Sequence, residues 1–149
     1  MPEIPQVQYK PADIRDLPAL RQVEQICFGP DAWPLIDLLG VLTIPGIVRA
    51  KAVVDERMVG FIAGELKPWE ASGWITTIGV LPEFRRLGIA RRLISDCEQR
   101  MGQPAVKLCV RRSNIAAISL YKNLGYRHLE IWPLYYHDKE DALVMIKNG

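Results

Sequence analysis

The sequence contains little of the cysteine and histidine from which disulfide frameworks and metal sites are built. Its 149 residues include three cysteines and two histidines, and no two cysteines stand in a Cys-x-x-Cys arrangement. An odd number of widely spaced cysteines is typical of free thiols in a reducing compartment. We therefore expect a cytoplasmic protein without a structural metal.

A long apolar run and a strong excess of one charge are also missing. Pro45 and Gly46 interrupt the best apolar candidate, residues 38–48, and no basic segment followed by an apolar one stands at the N-terminus, so we expect neither a membrane span nor a signal peptide. The formal net charge of +2 is too small to indicate binding to nucleic acid or to a membrane. With 49% apolar and 24% charged residues, residues 1–149 are expected to form one globular domain.

The most informative stretch is residues 74–94, where a strand pattern passes into a helix pattern. Residues 74–81 are β-branched and apolar, which favours a strand, and Pro82 ends it. From Leu87 onward, apolar residues recur at steps of three and four, which predicts a helix with one buried face. The short basic loop between the two patterns therefore leads into the first turn of that helix.

This first turn has the properties of an anion-binding site. The start of a helix offers unpaired N–H groups and the positive end of the helix dipole, and Gly88 has no side chain to keep a ligand away from the backbone. Four arginines surround the turn: Arg85, Arg86, Arg91 and Arg92. The stretch is neither a P-loop nor a dinucleotide fingerprint. It predicts a pyrophosphate-binding turn, with a solvated basic face as the alternative.

The other patterns predict a mixed sheet covered by helices. Helices are expected after Asp16, after Trp33-Pro34 and within residues 113–125. Strands are expected at residues 7–10, 47–54, 58–66, 105–111, 126–132 and 142–147. The order is β-α-α-β-β-β-α-β-α-β-β, and its β-α-β-α segments imply at least one parallel pair of strands.

Two polar residues of the last helix share one face. Asn114 and Tyr121 are seven residues apart, which is about two turns and roughly 10 Å along the helix. Ala117 and Ile118 lie between them, so this face can form one wall of a ligand groove. The alternative is that Tyr121 is an ordinary amphipathic residue with its ring in the core, and periodicity alone favours that alternative.

Four motifs, in the right order, resemble those of the GNAT-type N-acetyltransferases. Residues 85–90 resemble the Arg/Gln-x-x-Gly-x-Gly/Ala signature of the superfamily, and residues 110–126 resemble its second motif. The segments at residues 135–145 and 27–33 are similar to those of the subgroup that acetylates protein N-termini, the ribosomal-protein alanine acetyltransferase (RimI) type. The resemblance covers nearly the whole chain.

The resemblance implies an α/β (α+β mixed) fold with a central, mostly antiparallel sheet of about seven strands and helices on both faces. It also implies direct transfer of an acetyl group from acetyl-CoA to an amine, above all the α-amino group of a protein or peptide N-terminus, for example of a ribosomal protein. The positions that would hold acetyl-CoA are Ile78, Gly79, Val80, Arg85, Arg86, Leu87, Gly88, Ile89, Ala90, Arg91, Asn114, Ala117 and Tyr121.

The resemblance also assigns roles to single residues. Tyr121 would be the general acid that protonates the departing CoA thiolate, and the backbone N–H of Val80 would donate to the thioester oxygen. The backbone of Ile78 and Val80 would pair with the pantetheine arm. Trp33, Tyr135 and Tyr136 would cover the acceptor.

Two positions depart from the patterns of the family's subgroups. Cys109 stands where the ribosomal-protein subgroup has a glutamate that serves as base, and a related subgroup's tyrosine is replaced by Trp74. Cys109 could be a nucleophile, or a packing residue with a water chain leading from the amine to Glu65 or His137. Its presence also motivates a non-catalytic acetyl-CoA-binding module. A small-molecule amine as acceptor is a further alternative, and the sequence does not identify the base.

Overall fold

The computed structural model describes residues 6–148 and places a seven-stranded sheet between helices. Every element that the sequence predicts is present, with its ends moved by a residue or two. The elements are β1 (Gln8–Lys10), α1 (Leu17–Phe28), α2 (Leu35–Thr43), β2 (Val48–Val54), β3 (Arg57–Lys67), β4 (Ser72–Val80), α3 (Ile89–Met101), β5 (Ala105–Arg111), α4 (Ile115–Asn123), β6 (Arg127–Trp132) and β7 (Ala142–Asn148).

The start of α1 differs in detail from the expectation. Asp16 immediately precedes the helix but its side chain makes no capping hydrogen bond to it. Instead its carboxylate accepts hydrogen bonds from the backbone N–H of Asp13, at 2.9 Å, and from Lys51, at 2.7 Å. Asp16 thus attaches the segment between β1 and α1 to strand β2.

The sheet is mixed and mostly antiparallel, which confirms the predicted architecture. Its strand order is β1-β2-β3-β4-β5-β7-β6. Neighbouring strands are antiparallel except for β4 and β5, which run parallel on either side of the α3 crossover. The parallel pair lies near the middle of the sheet, so it joins two antiparallel halves.

Helices cover both faces of the sheet, as two glycines on neighbouring strands show. A Cβ atom on Gly60 would lie 3.3 Å from Leu93 of α3, whereas one on Gly79 would lie 3.2 Å from Cys27 of α1. The core between these layers contains fully buried side chains such as Phe61. Each such side chain contributes about 1.5–3 kcal/mol of hydrophobic stabilisation.

The parallel pair separates halfway along its length. The pairing joins Ser72–Ile75 of β4 to Ala105–Leu108 of β5 and ends there. At the same point β4 carries a bulge, because Thr76 is left over between residues that pair with Ala63 and Gly64 of β3. Beyond the bulge the two strands diverge and leave a gap in the middle of the sheet.

Candidate active site

A cavity occupies the gap between the diverging strands. Its walls come from β4, β5, α4 and the two loops that follow α1 and β6. Of the residues singled out in the sequence, it is lined by Trp33, Ile78, Cys109, Asn114, Ala117, Tyr121 and Tyr136. The structure therefore brings together one part of the expected cofactor set, the expected general acid and two of the three expected acceptor residues.

The edge of β4 that faces the gap carries free backbone groups. The N–H of Leu81 donates to Val59 of β3, at 2.8 Å, so the backbone groups of Ile78 and Val80 point the other way, toward the gap. No β5 residue pairs with either of them. The Val80 carbonyl accepts from Arg85 Nε, at 3.0 Å, which leaves the two N–H groups for an extended ligand.

The start of α3 is open, as an anion-binding turn requires. Gly88 precedes the helix with φ of 81°, a left-handed conformation that favours glycine, and no side chain of residues 6–148 caps the first N–H groups. Arg86 and Arg91 are exposed beside this turn. Arg92 is held elsewhere, since it binds Asp96 at 2.8 Å. Ile89 is buried, so only its backbone can contact a ligand.

Tyr121 combines the two alternatives that the sequence left open. Its ring is only 8% exposed and packs edge-on against Tyr126, with 6.1 Å between the ring centroids. The same residue lines the cavity. Burial raises the pKa of its hydroxyl to about 12, so Tyr121 is a neutral phenol at physiological pH and can donate a proton. Asn114 begins the same helix by accepting the N–H of Ala117, at 3.2 Å.

Cys109 lies in an environment that disfavours its thiolate. Burial, together with the nearby charge of Glu130, raises the pKa of the Cys109 thiol to about 11. A nucleophilic cysteine needs the opposite, a pKa lowered by a cation or a helix N-terminus. The structure therefore supports the packing role of Cys109 over the nucleophilic one.

Arg111 forms a cluster of ion pairs that the sequence patterns did not indicate. It binds Asp31 through two nitrogens, at 2.6 and 2.8 Å. On its other side it binds Asp138 at 2.9 Å and Glu140 at 2.7 Å, and it lies 4.2 Å from the ring centroid of Tyr136. Arg111 thus ties the loop after α1 to the loop after β6. These contacts raise its pKa further above the usual range.

A row of aromatic side chains leads away from the cavity. Tyr136 lines it and packs against Tyr135, with ring centroids 5.0 Å apart. The row continues through Trp132, 5.5 Å from Tyr135, to Trp74, 5.7 Å from Trp132. Tyr135 is 54% exposed and does not line the cavity itself. We call these four residues the aromatic row.

A buried carboxylate stands behind the cavity wall. Glu24 of α1 is 2% exposed. It accepts hydrogen bonds from the Thr77 hydroxyl, at 2.7 Å, and from the backbone N–H of Trp33, at 3.1 Å. Glu65 and His137, the two expected ends of a water chain, do not line the cavity. Glu24 was not expected from the sequence patterns, although a carboxylate on the apolar face of α1, beside Leu20 and Val23, is itself a sign of a buried and hydrogen-bonded group.

Within residues 6–148, no group of three or more His, Cys, Asp or Glu side chains is placed to hold a metal ion. In the same range, no helix combines the length and the apolar character that crossing a membrane requires.

Comparison with known proteins identifies relatives over most of the chain. Residues 19–126 match the sequence model described as "Acetyltransferase (GNAT) family". The chain is 33% identical over 144 residues to the N-terminal acetyltransferase A complex catalytic subunit NAA10 of Arabidopsis thaliana, covering 92% of this chain and 75% of that protein.

Solved structures show the same fold. The ribosomal-protein-S18-alanine N-acetyltransferase from Escherichia coli superposes with a TM-score of 0.86 at 25% identity, covering 96% of this chain and 94% of that one. Arabidopsis thaliana NAA60 in complex with acetyl-CoA superposes with a TM-score of 0.86 at 23% identity, covering 96% and 98%.

Proposed function

The chain belongs to the GNAT acetyltransferase family and is an acetyl-CoA-dependent N-acetyltransferase; on this premise we propose that its acceptor is the α-amino group of a protein or peptide N-terminus. The observation that carries the proposal is the shape of the acceptor side. Arg111 draws two loops together at the cavity. The aromatic row extends from the cavity over the sheet. A chain whose first residue enters the cavity can lie along this row.

The charge at the cavity also suits an α-ammonium group. Arg111 is surrounded by three carboxylates, those of Asp31, Asp138 and Glu140, so the cluster carries a formal charge of about −2. Asp31 itself lines the cavity. A negative cluster attracts the protonated amine to the place where it must react.

Acetyl-CoA would approach from the opposite side of the gap. The open turn at Gly88, with Arg86 and Arg91, would hold its pyrophosphate. The N–H groups of Ile78 and Val80 would pair with the pantetheine arm, which brings the thioester to the cavity between β4 and α4.

The transfer then follows from these positions. The amine nitrogen attacks the thioester carbonyl, the C–S bond breaks, and the sulfur leaves as a thiolate. Tyr121 is protonated at neutral pH and would supply the proton that this sulfur needs. The Val80 N–H would donate to the carbonyl oxygen as negative charge develops there. Since its cysteines are free, we place the reaction in the cytoplasm, where thiols stay reduced.

The proposal is tested by thiol release from acetyl-CoA with a panel of N-terminal peptides and a panel of small amines. We expect turnover with peptides, and a loss of about 100-fold or more in kcat for Tyr121→Phe. Tyr126→Phe is the matched control, because Tyr126 is also buried but binds Glu98 instead of lining the cavity.

Each alternative has its own result in this assay. Turnover with small amines alone would overturn the proposed acceptor in favour of a small-molecule acetyltransferase. Tight binding of acetyl-CoA without turnover on any amine would indicate a binding module. Full activity of Tyr121→Phe would remove the assigned general acid.

A further inference from the structure

The amine that attacks acetyl-CoA must first lose a proton, and the cavity wall contains a connected pair of groups suited to take it. An α-ammonium group has a pKa of about 8 and is mostly protonated at neutral pH. Thr77 lines the cavity, and its hydroxyl donates to the buried carboxylate of Glu24 at 2.7 Å. The two residues are the only part of the described chain where a cavity-lining hydroxyl leads directly to a buried carboxylate.

We propose that Thr77 and Glu24 form the proton relay that deprotonates the acceptor amine. The proposal rests on the N-acetyltransferase function given above. Thr77 is the residue that meets the amine, directly or through one water, and Glu24 is the group where the proton comes to rest. This relay supplies the base that the family pattern would place at Cys109.

The relay conserves protons and charge. One N–H bond of the ammonium breaks, and its proton passes to Thr77 Oγ while the proton of that hydroxyl passes to Glu24 Oε2. The products are a neutral amine and a neutral carboxylic acid. After attack and loss of the thiolate, the amide nitrogen releases its remaining extra proton to replace the one that Tyr121 gives to sulfur. Glu24 returns its proton to solvent after the products leave.

Other groups near the cavity are less suited to this task. The pKa of the Cys109 thiol is raised to about 11, and the pKa of Tyr136 is also raised, by burial, so both hold their protons at neutral pH. Asp31 is engaged by two nitrogens of Arg111. Glu65 does not reach the cavity.

The surroundings of Glu24 increase its basicity. Burial raises its pKa, and the hydrogen bonds from Thr77 and the Trp33 backbone partly oppose that change. Among described residues, the titratable group that interacts with it from its own helix is Cys27, beside Arg85 of the β4–α3 loop. No cation on β4, α2 or the loop after α1 contributes to its pKa. A carboxylate whose pKa is raised toward neutrality is a better proton acceptor at physiological pH.

The experiment measures kcat against pH with a peptide acceptor for wild type, Glu24→Gln, Thr77→Val and Thr77→Ser. Glutamine keeps the shape and an acceptor for the Trp33 N–H but cannot take a proton. We expect kcat to fall about 100-fold or more in Glu24→Gln and Thr77→Val, and to stay within about 5-fold in Thr77→Ser, which keeps the hydroxyl.

The pH profile separates a relay from a structural role. In wild type the rate falls as pH falls through the raised pKa of Glu24. In Glu24→Gln the amine must lose its proton to solvent, so the acid limb moves up toward the ammonium pKa of about 8. The defect should shrink with an acceptor whose ammonium pKa lies below the assay pH. Measurements of thermal unfolding and of acetyl-CoA binding show whether each variant is folded.

A folded Glu24→Gln variant with wild-type kcat and an unmoved acid limb would overturn the relay while leaving the proposed function intact. A wild type that acetylates only small amines would overturn the proposed acceptor, and the same variants assayed on that amine would still decide the relay. A wild type that acetylates no amine would overturn both.

Discussion

At the end of β5 the guanidinium group of Arg111 holds carboxylates from two separate loops. Its side chain is 23% exposed, so water partly screens these ion pairs and their effect on overall stability is modest. Their main effect is to hold the loop after α1 and the loop after β6 in position. The planar fork binds Asp31 through two nitrogens and still reaches Glu140 in the loop after β6, which one ammonium group cannot do.

We therefore expect Arg111→Lys to raise KM for a peptide acceptor about 10-fold or more, because hydrogen bonds to charged groups are worth about 1.5–3 kcal/mol. KM for acetyl-CoA should stay near the wild-type value. Arg112→Lys is the matched control, since Arg112 contacts a single carboxylate, Asp141, at 3.3 Å. Equal changes in both Michaelis constants would contradict a role confined to the acceptor side.

The protonated thiol of Cys109 leads to a second prediction for a single residue. With a pKa of about 11, only about one thiol in a thousand is ionised at pH 8. Cys109→Ala should therefore keep kcat/KM within about 3-fold of wild type in the thiol-release assay, with a small loss of stability from the lost packing. An inactive but folded Cys109→Ala variant would show that the thiol takes part in the reaction.

The elements of this fold position the site through two irregularities. The bulge at Thr76 and the end of pairing at Ile75 occur together, so β4 turns away from β5 where the cavity begins. The open start of α3 then lies at the end of the same strand. A regular, fully paired sheet would bury the backbone groups of Ile78 and Val80 in hydrogen bonds to β5.

The start of α3 can be tested with two substitutions at one residue. Gly88→Ala imposes the strain of a left-handed conformation, about 1–2 kcal/mol, but meets no atom within 4 Å. Gly88→Glu imposes the same strain and adds a negative charge where the pyrophosphate would lie. Calorimetry should show acetyl-CoA affinity at least about 10-fold lower in Gly88→Glu than in Gly88→Ala. Equal affinities would place the pyrophosphate elsewhere.

At the scale of the whole molecule, the two antiparallel halves of the sheet meet through the short β4–β5 pairing. α3 strengthens this connection because it contacts both halves. Its Glu98 accepts a hydrogen bond from Lys147 of β7, at 3.1 Å, and its last turn packs closely on β3 and β4. A Cβ atom on Gly64 or Gly73 would lie only 2.7 or 2.6 Å from Met101 Sδ. A ligand that fills the gap would add contacts to both halves at once.

We expect CoA to stabilise the fold for this reason. At a concentration of about 100 Kd, binding adds about 2.7 kcal/mol to the free energy of unfolding. For a chain of this size the gain corresponds to a rise in Tm of roughly 5–10 °C, which differential scanning fluorimetry can measure. Gly88→Glu should show a smaller rise at the same CoA concentration. An unchanged Tm of wild type in saturating CoA would contradict binding in the gap.

The sequence by itself determined the features that depend on neighbouring residues. Apolar periodicity fixed the order and extent of helices and strands, because each buries one face. Gly88 and the arginines around it indicated an anion-binding turn, since a helix start and its loop are contiguous in sequence. The spacing of Asn114 and Tyr121 placed both on one face of α4, and the structure shows both at the cavity.

Only the tertiary structure brought together the groups that we propose to act on the acceptor side. Arg111 and Asp31 are 80 residues apart, and Thr77 and Glu24 are 53 apart, so no local pattern connects them. The state of the Cys109 thiol depends on burial and on Glu130 of another strand. Desolvation and long-range contacts act on residues that the chain brings together only by folding. For that reason sequence motifs could indicate the proposed acetyl-CoA side and, among the proposed acceptor residues, Trp33 and Tyr136, whereas the Arg111 cluster and the proposed proton relay could not be predicted.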